Sequence, residues 1–231
     1  MDESNLLQRK SFIRTSFRDV TVAELLSIEQ HTPRQVITAL SSLTEIEVNQ
    51  LTSDEVFVLY ELVSFIDDLN EVGAVLPLDF TAPKIDVAGS TFEKCERAKI
   101  KASENKAPYR LFLYLVEIYF PDQYLTGLAA PALAIGALIY EDLCILLDRF
   151  KDLASEKPTE EEEEAGVSAL HTFGPYGICE SIASRYSVRP YEVFSWSAEE
   201  VYLELTYQMA KSRYQDNLRA IEKRKTLGAN R

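Results

Sequence analysis

The chain has 231 residues, a hydrophobic content of 46% and a formal net charge of −13. That is enough apolar material for a real core, which excludes disorder throughout, and the negative balance argues against general nucleic-acid binding because attraction to phosphate depends on Lys and Arg. Eight glycines and nine prolines are few for this length, and the plentiful Leu, Glu, Ala and Lys point to an all-α or mainly α fold.

Helix starts are well marked from the N-terminal side onward. In TVAELLSIEQ, Thr21 and Glu24 form a capping box, the hydroxyl accepting an orphan amide hydrogen while the carboxylate reaches back. In HTPRQVITALSSL, Thr32 is the cap, Pro33 takes the first helical position and Gln35 completes the pattern. Thr52 and Glu55 open a third helix, EVFVLYELVSFIDDLNEV, whose apolar stripe through Val56, Leu59, Tyr60, Val63 and Ile66 predicts a core helix ending near Gly73. The two prolines of LPLDFTAPKIDVAG predict a loop over 76–89, with a short strand at Lys84–Val87.

Ser90 with Glu93 predicts the start of the next helix, STFEKCERAKIKASEN, and NKAPYRLFLYLVEIYF is apolar on almost every side, as suits the centre of a bundle, until Pro121 stops it. The run Leu125–Tyr140 contains Pro131 and Gly136 and is shorter than the roughly 20 residues of a membrane span, so it reads as buried helix. EDLCILLDRFKDLA follows as an amphipathic segment through Leu143, Leu146, Leu147, Phe150 and Leu153. The five glutamates Glu160–Glu164 repel one another and bury nothing, so they predict a linker or a solvated helix end. The expected organisation is a helical domain over 1–154, an acidic linker over 155–166 and a small helical module over 167–231.

Within that module the text predicts a turn at Gly174–Gly177, a helix carrying Ile178, Ile182 and Tyr186, a break at Pro190, and a capping box from Ser197 and Glu200. The last helix, with Val201, Leu205 and Met209 on one line and Leu203, Tyr207, Ala210 and Tyr214 on another, is expected to run about 28 residues and on the order of 40 Å. From Lys211 to Arg231 the chain is +5, leaving −18 for the rest. A basic tail of this kind could touch RNA or an anionic membrane, but the plainer account is that cations in the last turns of a helix offset its own dipole.

Searching for chemistry returns little. Cys95, Cys144 and Cys179 are odd in number and far apart, which signals neither a disulfide framework nor a zinc site and suits a cytoplasmic protein; no secretory leader is read in the first residues. His31 and His171 lie in different halves, and no phosphate-loop, dinucleotide or nucleophile-elbow motif occurs. GPYG at 174–177 lacks the Lys or Ser of a phosphate cradle and reads as a turn. Asp67, Asp68 and Glu71 resemble the aspartate-rich motif of isoprenoid synthases and could hold magnesium, but a second acidic motif on a facing helix is required and none is evident. A solvated helix face is the plainer account. Neither catalytic residues, metal ligands nor a cofactor is assigned.

The most distinctive stretch is RYSVRPYEVFSWSAEEVYLELTYQ, Arg185–Gln208, which holds the only tryptophan, Trp196. Base-stacking and membrane faces place cations beside aromatics, whereas Glu192, Glu199, Glu200 and Glu204 stand here. Tyr191, Phe194, Trp196, Tyr202 and Tyr207 therefore form either a local core or a surface for a protein partner, with neither nucleic acid nor membrane as the expected partner.

TVAELLSIEQ, TPRQVITALSSLTEIEVNQLTSDE and, further on, FGPYGICESIASRYSVRPYEVFSWSAEEVYLELTYQ resemble the N-terminal part and the C-terminal module of tail assembly chaperones of long-tailed bacteriophages. The resemblance touches about half the chain and implies a non-enzymatic protein that coats the tape measure protein before the tail tube forms around it and helps recruit tail tube subunits. A structural component of a virion or other assembly is the alternative, and a magnesium-dependent helical enzyme using Asp67, Asp68 and Glu71 a remote one. The oligomeric state stays open at this point.

Overall fold

The computed structural model describes residues 16–17, 20–28, 32–41, 43–63, 76, 80–104, 107–121, 127–154, 160–164, 166, 169 and 173–229. The fold is all-α: among the described residues there is no strand. In chain order the helices are α1 (Val22–Leu26), α2 (Pro33–Leu40), α3 (Glu45–Asn49), α4 (Ser53–Val63), α5 (Phe92–Ser103), α6 (Pro108–Tyr119), α7 (Ala129–Arg149), α8 (Glu160–Glu164), α9 (Pro175–Tyr186), α10 (Pro190–Val193) and α11 (Ala198–Ala229), with a 3-10 turn at Lys151–Ala154 after α7.

Local capping chemistry sets most of the starts. The Thr21–Glu24 and Thr52–Glu55 boxes form as the sequence predicts, with Glu24 accepting from the Thr21 amide at 2.7 Å and Glu55 from the Thr52 amide at 2.8 Å. Thr32 accepts from the Gln35 amide and Pro33 is the first residue of α2. A further box, Thr44 with Glu47, opens α3 and was not anticipated. At α5 the cap is Thr91, one residue later than expected, because its hydroxyl takes the Lys94 amide while the Ser90 hydroxyl donates back to the Val87 carbonyl.

A second device acts on the same orphan amides, those that a helix start leaves without an intrahelical acceptor. The starts of α5 and α11 satisfy each other: the Phe92 and Glu93 amides donate to the carbonyls of Trp196 and Phe194, and the Ala198 and Glu199 amides donate to those of Ser90 and Ala88, at 2.8–3.1 Å. The starts of α1 and α7 are joined likewise, Val22 to Gly127 and Ala129 to Val20, at 2.9 and 2.7 Å. Such reciprocal bonds leave only isolated bridges, Thr21 with Leu128 and Thr91 with Ser197.

The chain divides into two compact units, one of Met1–Ile85 with Arg97–Glu141 and one of Asp86–Glu96 with Asp142–Arg231. The expected 1–154 domain included 86–96 and 142–154, but these segments belong to the unit of the C-terminal helices, since the start of α5 exchanges backbone bonds with the start of α11. In the first unit one continuous core holds Phe17, Val20 and Leu25, then Val36, Ile37 and Leu40, then Leu59 and Val63, with Tyr109, Leu113 and Leu133. Arg34 and Arg110 close its helix ends, Arg34 donating to the carbonyls of Val48 and Leu51 and Arg110 to that of Ile28.

Three expectations change. Lys84–Val87 is extended loop and turn with no strand pairing, and the Val87 amide instead donates to the Asp142 carboxylate at 2.7 Å. The runs 125–140 and 141–154 merge into α7, because nothing breaks the helix between Tyr140 and Glu141 and Pro131 falls in its first turn, where a missing N–H removes no helix bond. Gly177 lies inside α9, whose first residue is Pro175. α7 is long and apolar enough to cross a membrane, an 18-residue window of it having a mean hydropathy of 1.8; Ala129, Ala132, Leu133, Ile135 and Ile139 are buried against the chain, whereas Leu138 and Ile145 are exposed. Gly136 of α7 lets the Phe112 backbone come within 2.4 Å of where a Cβ would stand.

Asp67, Asp68, Glu71, His31, His171 and the helix end expected near Gly73 lie outside the described residues. The glutamate run is a short helix, α8, with Glu160, Glu163 and Glu164 exposed.

Candidate functional site

The five aromatic residues singled out from the sequence all fall in the second unit, but they divide into two populations. Tyr202 is 5% exposed and belongs to the core. Its ring stacks on Phe150 at 5.3 Å and meets Phe92 edge-on at 5.8 Å, and Phe92 also packs against Phe194 at 6.1 Å. The Tyr202 hydroxyl donates to Glu96 Oε1 at 2.8 Å, and Glu96 is itself only 5% exposed. Burial raises the Tyr202 phenol well above its ordinary pKa, with Cys95 and Glu96 nearby acting in the same sense. Tyr202 is thus removed from the set of partner-binding residues, because its body fills the interior and its hydroxyl is committed to a buried carboxylate. Phe194 is half-buried through the same contacts.

Of the remaining three, two face outward and Trp196 is half-buried. Tyr191 and Tyr207 are 61% and 57% exposed. Arg189 donates to the Tyr191 hydroxyl at 2.9 Å and its guanidinium lies over that ring, while Arg185 lies over the Tyr207 ring. Trp196 is half-buried: its carbonyl is taken by the Phe92 amide and its ring meets Tyr186 edge-on at 5.4 Å.

Tyr186 and Trp196 form one wall of a cleft of about 470 Å³ whose other lining residues are Glu200, Leu203 and Glu204. Each acid has a structural duty. Glu200 accepts from the Ser197 amide and hydroxyl at 3.0 and 2.8 Å, completing the expected box, and these bonds hold its carboxyl below the usual carboxylate range. Glu204 joins α9 to α11, accepting from Arg185 at 2.7 Å, from the Tyr186 hydroxyl at 2.9 Å and from Gln208 at 3.2 Å. The hydrogen bond to Glu204 raises the Tyr186 phenol.

Sequence reasoning missed Tyr186 and Leu203 as surface residues, along with Phe173 and Tyr176 at the start of α9, which are 62% and 50% exposed. The signal for Leu203 was present in its spacing, one helical turn before Tyr207 on the same line of α11. Tyr186, Trp196 and Leu203 make an apolar cleft lined by the carboxylates of Glu200 and Glu204, while Arg185 and Arg189 lie over the exposed rings of Tyr207 and Tyr191. Such a surface buries apolar side chains and favours a ligand with positive charge beside its apolar face. Among the described residues no three His, Cys, Asp or Glu converge to hold a metal ion.

Compared with protein-family models, curated proteins and solved structures, the chain matches none.

Proposed function

We propose that this protein is a non-enzymatic binding protein, a tail assembly chaperone of a long-tailed bacteriophage that keeps the tape measure protein soluble and helps recruit tail tube subunits in the host cytoplasm. The observation that carries the reading is the aromatic surface at the junction of α9 and α11, with Tyr186, Trp196 and Leu203 lining one cleft, Tyr207 tied to it through Arg185, and Tyr191 exposed in the same unit. The resemblance of 21–55 and 173–208 to such chaperones supports the choice of client, and helix-in-groove contact is the mode that an apolar helical client would use. The charge of −13 keeps a protein of this kind and its complex dispersed.

Co-expression with the tape measure protein of the same genome tests the reading. The parent chain should co-purify with it and hold it in the soluble fraction, and Trp196→Ala and Tyr207→Ala should release it while keeping the parent's circular dichroism. Variants that stay folded and retain the client in full would sink the assignment of the surface. Mass spectrometry of finished particles separates the alternative, since a structural component is present at fixed stoichiometry and a chaperone is absent.

A further inference from the structure

Beyond the aromatic cleft, α11 continues as an arm in which every residue from Lys211 to Lys225 is exposed. Its apolar side chains are not scattered. Tyr214, Leu218 and Ile221 recur at i, i+4 and i+7 and continue the line of Tyr207, which places them on one face. Exposures of 63%, 40% and 45% leave that stripe open. On the helical wheel Lys225 falls within the stripe, Lys211 and Glu222 lie at one edge, and Arg213 and Arg224 stand about a quarter turn off on the other side. An apolar stripe on an arm of net charge +5 calls for apolar side chains on an acidic segment.

This chain carries an acidic segment with exposed apolar side chains. Residues 44–63, spanning α3 and α4, hold Glu45, Glu47, Asp54, Glu55 and Glu61 and contain neither Lys nor Arg, a charge of −5 against the +5 of Lys211–Arg231. Ile46 and Phe57 stand out of it at 72% and 63% exposure, which with Tyr214 makes them the most exposed large apolar side chains among the described residues. Asp54 and Glu61, three residues before and four after Phe57, lie on the same side of α4 as that ring and are exposed. Two arms laid against each other would instead oppose +5 to +5, so the arm does not pair with its own kind.

We propose that the arm of one copy docks on the α3–α4 face of a second copy, a head-to-tail association driven by the Tyr214, Leu218 and Ile221 stripe meeting Ile46 and Phe57 and steered by opposite charge. The two surfaces differ, so the contact is heterologous: each copy keeps a free arm or a free face, and assembly grows into a chain or closes into a ring. This goes beyond client capture and holds whatever the client is.

Sedimentation velocity of the full chain tests it. The weight-average mass should rise above 26.2 kDa with concentration, and raising the ionic strength from about 0.05 to about 0.5 M should weaken association at least about tenfold. Ile221→Glu breaks the arm and Phe57→Lys breaks the face, both at exposed positions, so each variant alone should be monomeric. An equimolar mixture should form a one-to-one pair, from the arm of Phe57→Lys on the face of Ile221→Glu, and grow no further. If either variant loses helix by circular dichroism, the charge reversals Lys225→Glu and Glu61→Lys replace the two and the same mixing pattern is expected. A parent chain that stays monomeric at low salt, variants that associate as the parent does, a mixture that stays monomeric, or an arm that binds anionic phospholipid vesicles while the chain remains monomeric would each overturn the proposal. Client capture does not enter this measurement, so its outcome leaves the chaperone reading to its own test.

Discussion

Replacing Gly136 with alanine adds one methyl group where the structure leaves no room for it. A Cβ at 136 would lie 2.4 Å from the Phe112 carbonyl oxygen, 2.6 Å from its Cβ and 2.7 Å from its carbonyl carbon. Two of these atoms are backbone and cannot rotate away, so α6 and α7 must separate around an otherwise filled core, at a cost of about 2–3 kcal/mol. Alanine's better helix propensity returns about 1 kcal/mol, leaving a net loss of about 1–2 kcal/mol. Gly177 supplies the matched control: it is also helical, but nothing lies within 4 Å of its would-be Cβ. The same methyl group should there stabilise by up to about 1 kcal/mol. Urea denaturation of the parent and the two variants should show opposite shifts in midpoint at unchanged slope, and thermal melting should move by roughly 2–4 °C per kcal/mol. If Gly136→Ala matches or exceeds the parent while Gly177→Ala behaves as stated, the close approach of α6 and α7 is wrong.

Tyr202→Phe keeps the ring contacts with Phe92 and Phe150 but withdraws the hydroxyl from buried Glu96; a loss of about 1.5–3 kcal/mol is expected by urea denaturation, and an unchanged midpoint would show that Glu96 does not depend on that bond. The thiols should sort by burial: Cys144 is exposed and should react first with a thiol reagent at mild alkaline pH, whereas Cys95 and Cys179 are buried and should react only on unfolding. Burial, and secondarily Glu96, pushes the Cys179 thiol from near 9 up to about 11, so the folded protein holds that proton more tightly than the unfolded chain does. The corresponding stability is complete below pH about 9 and should be lost on the order of 2–3 kcal/mol as the pH climbs towards 11. Cys179→Ala should flatten that alkaline decline, and an equally steep decline in the variant would rule out this thiol as a source.

Features that depend on neighbours a turn away in sequence were legible. The pairs Thr21 with Glu24, Thr52 with Glu55 and Ser197 with Glu200 are visible in the text because a capping box is closed within four residues and needs nothing from the rest of the fold. The helical class was legible for a similar reason, since apolar periodicity and a scarcity of breakers act locally. The fusion of two apolar runs into α7 was not read, because Pro131 and Gly136 look like breakers until the helix is seen to begin at Ala129 and Gly136 to face Phe112.

The candidate site shows the same division more sharply. Tyr202 and Tyr207 are one residue type on one helix, five positions apart, and the text ranks them alike; one is 5% exposed and the other 57%. Their difference comes from Phe92, Glu96 and Phe150, which are distant in sequence and reach Tyr202 only once α5 and α11 have exchanged their terminal backbone bonds. The sequence by itself determined the helices, their caps, and the acidic body with its basic C-terminal arm, because propensity, capping and charge are properties of short segments. Which aromatic side chains became core and which stayed open to a partner was decided only by tertiary structure, since burial depends on what else arrives at the same place.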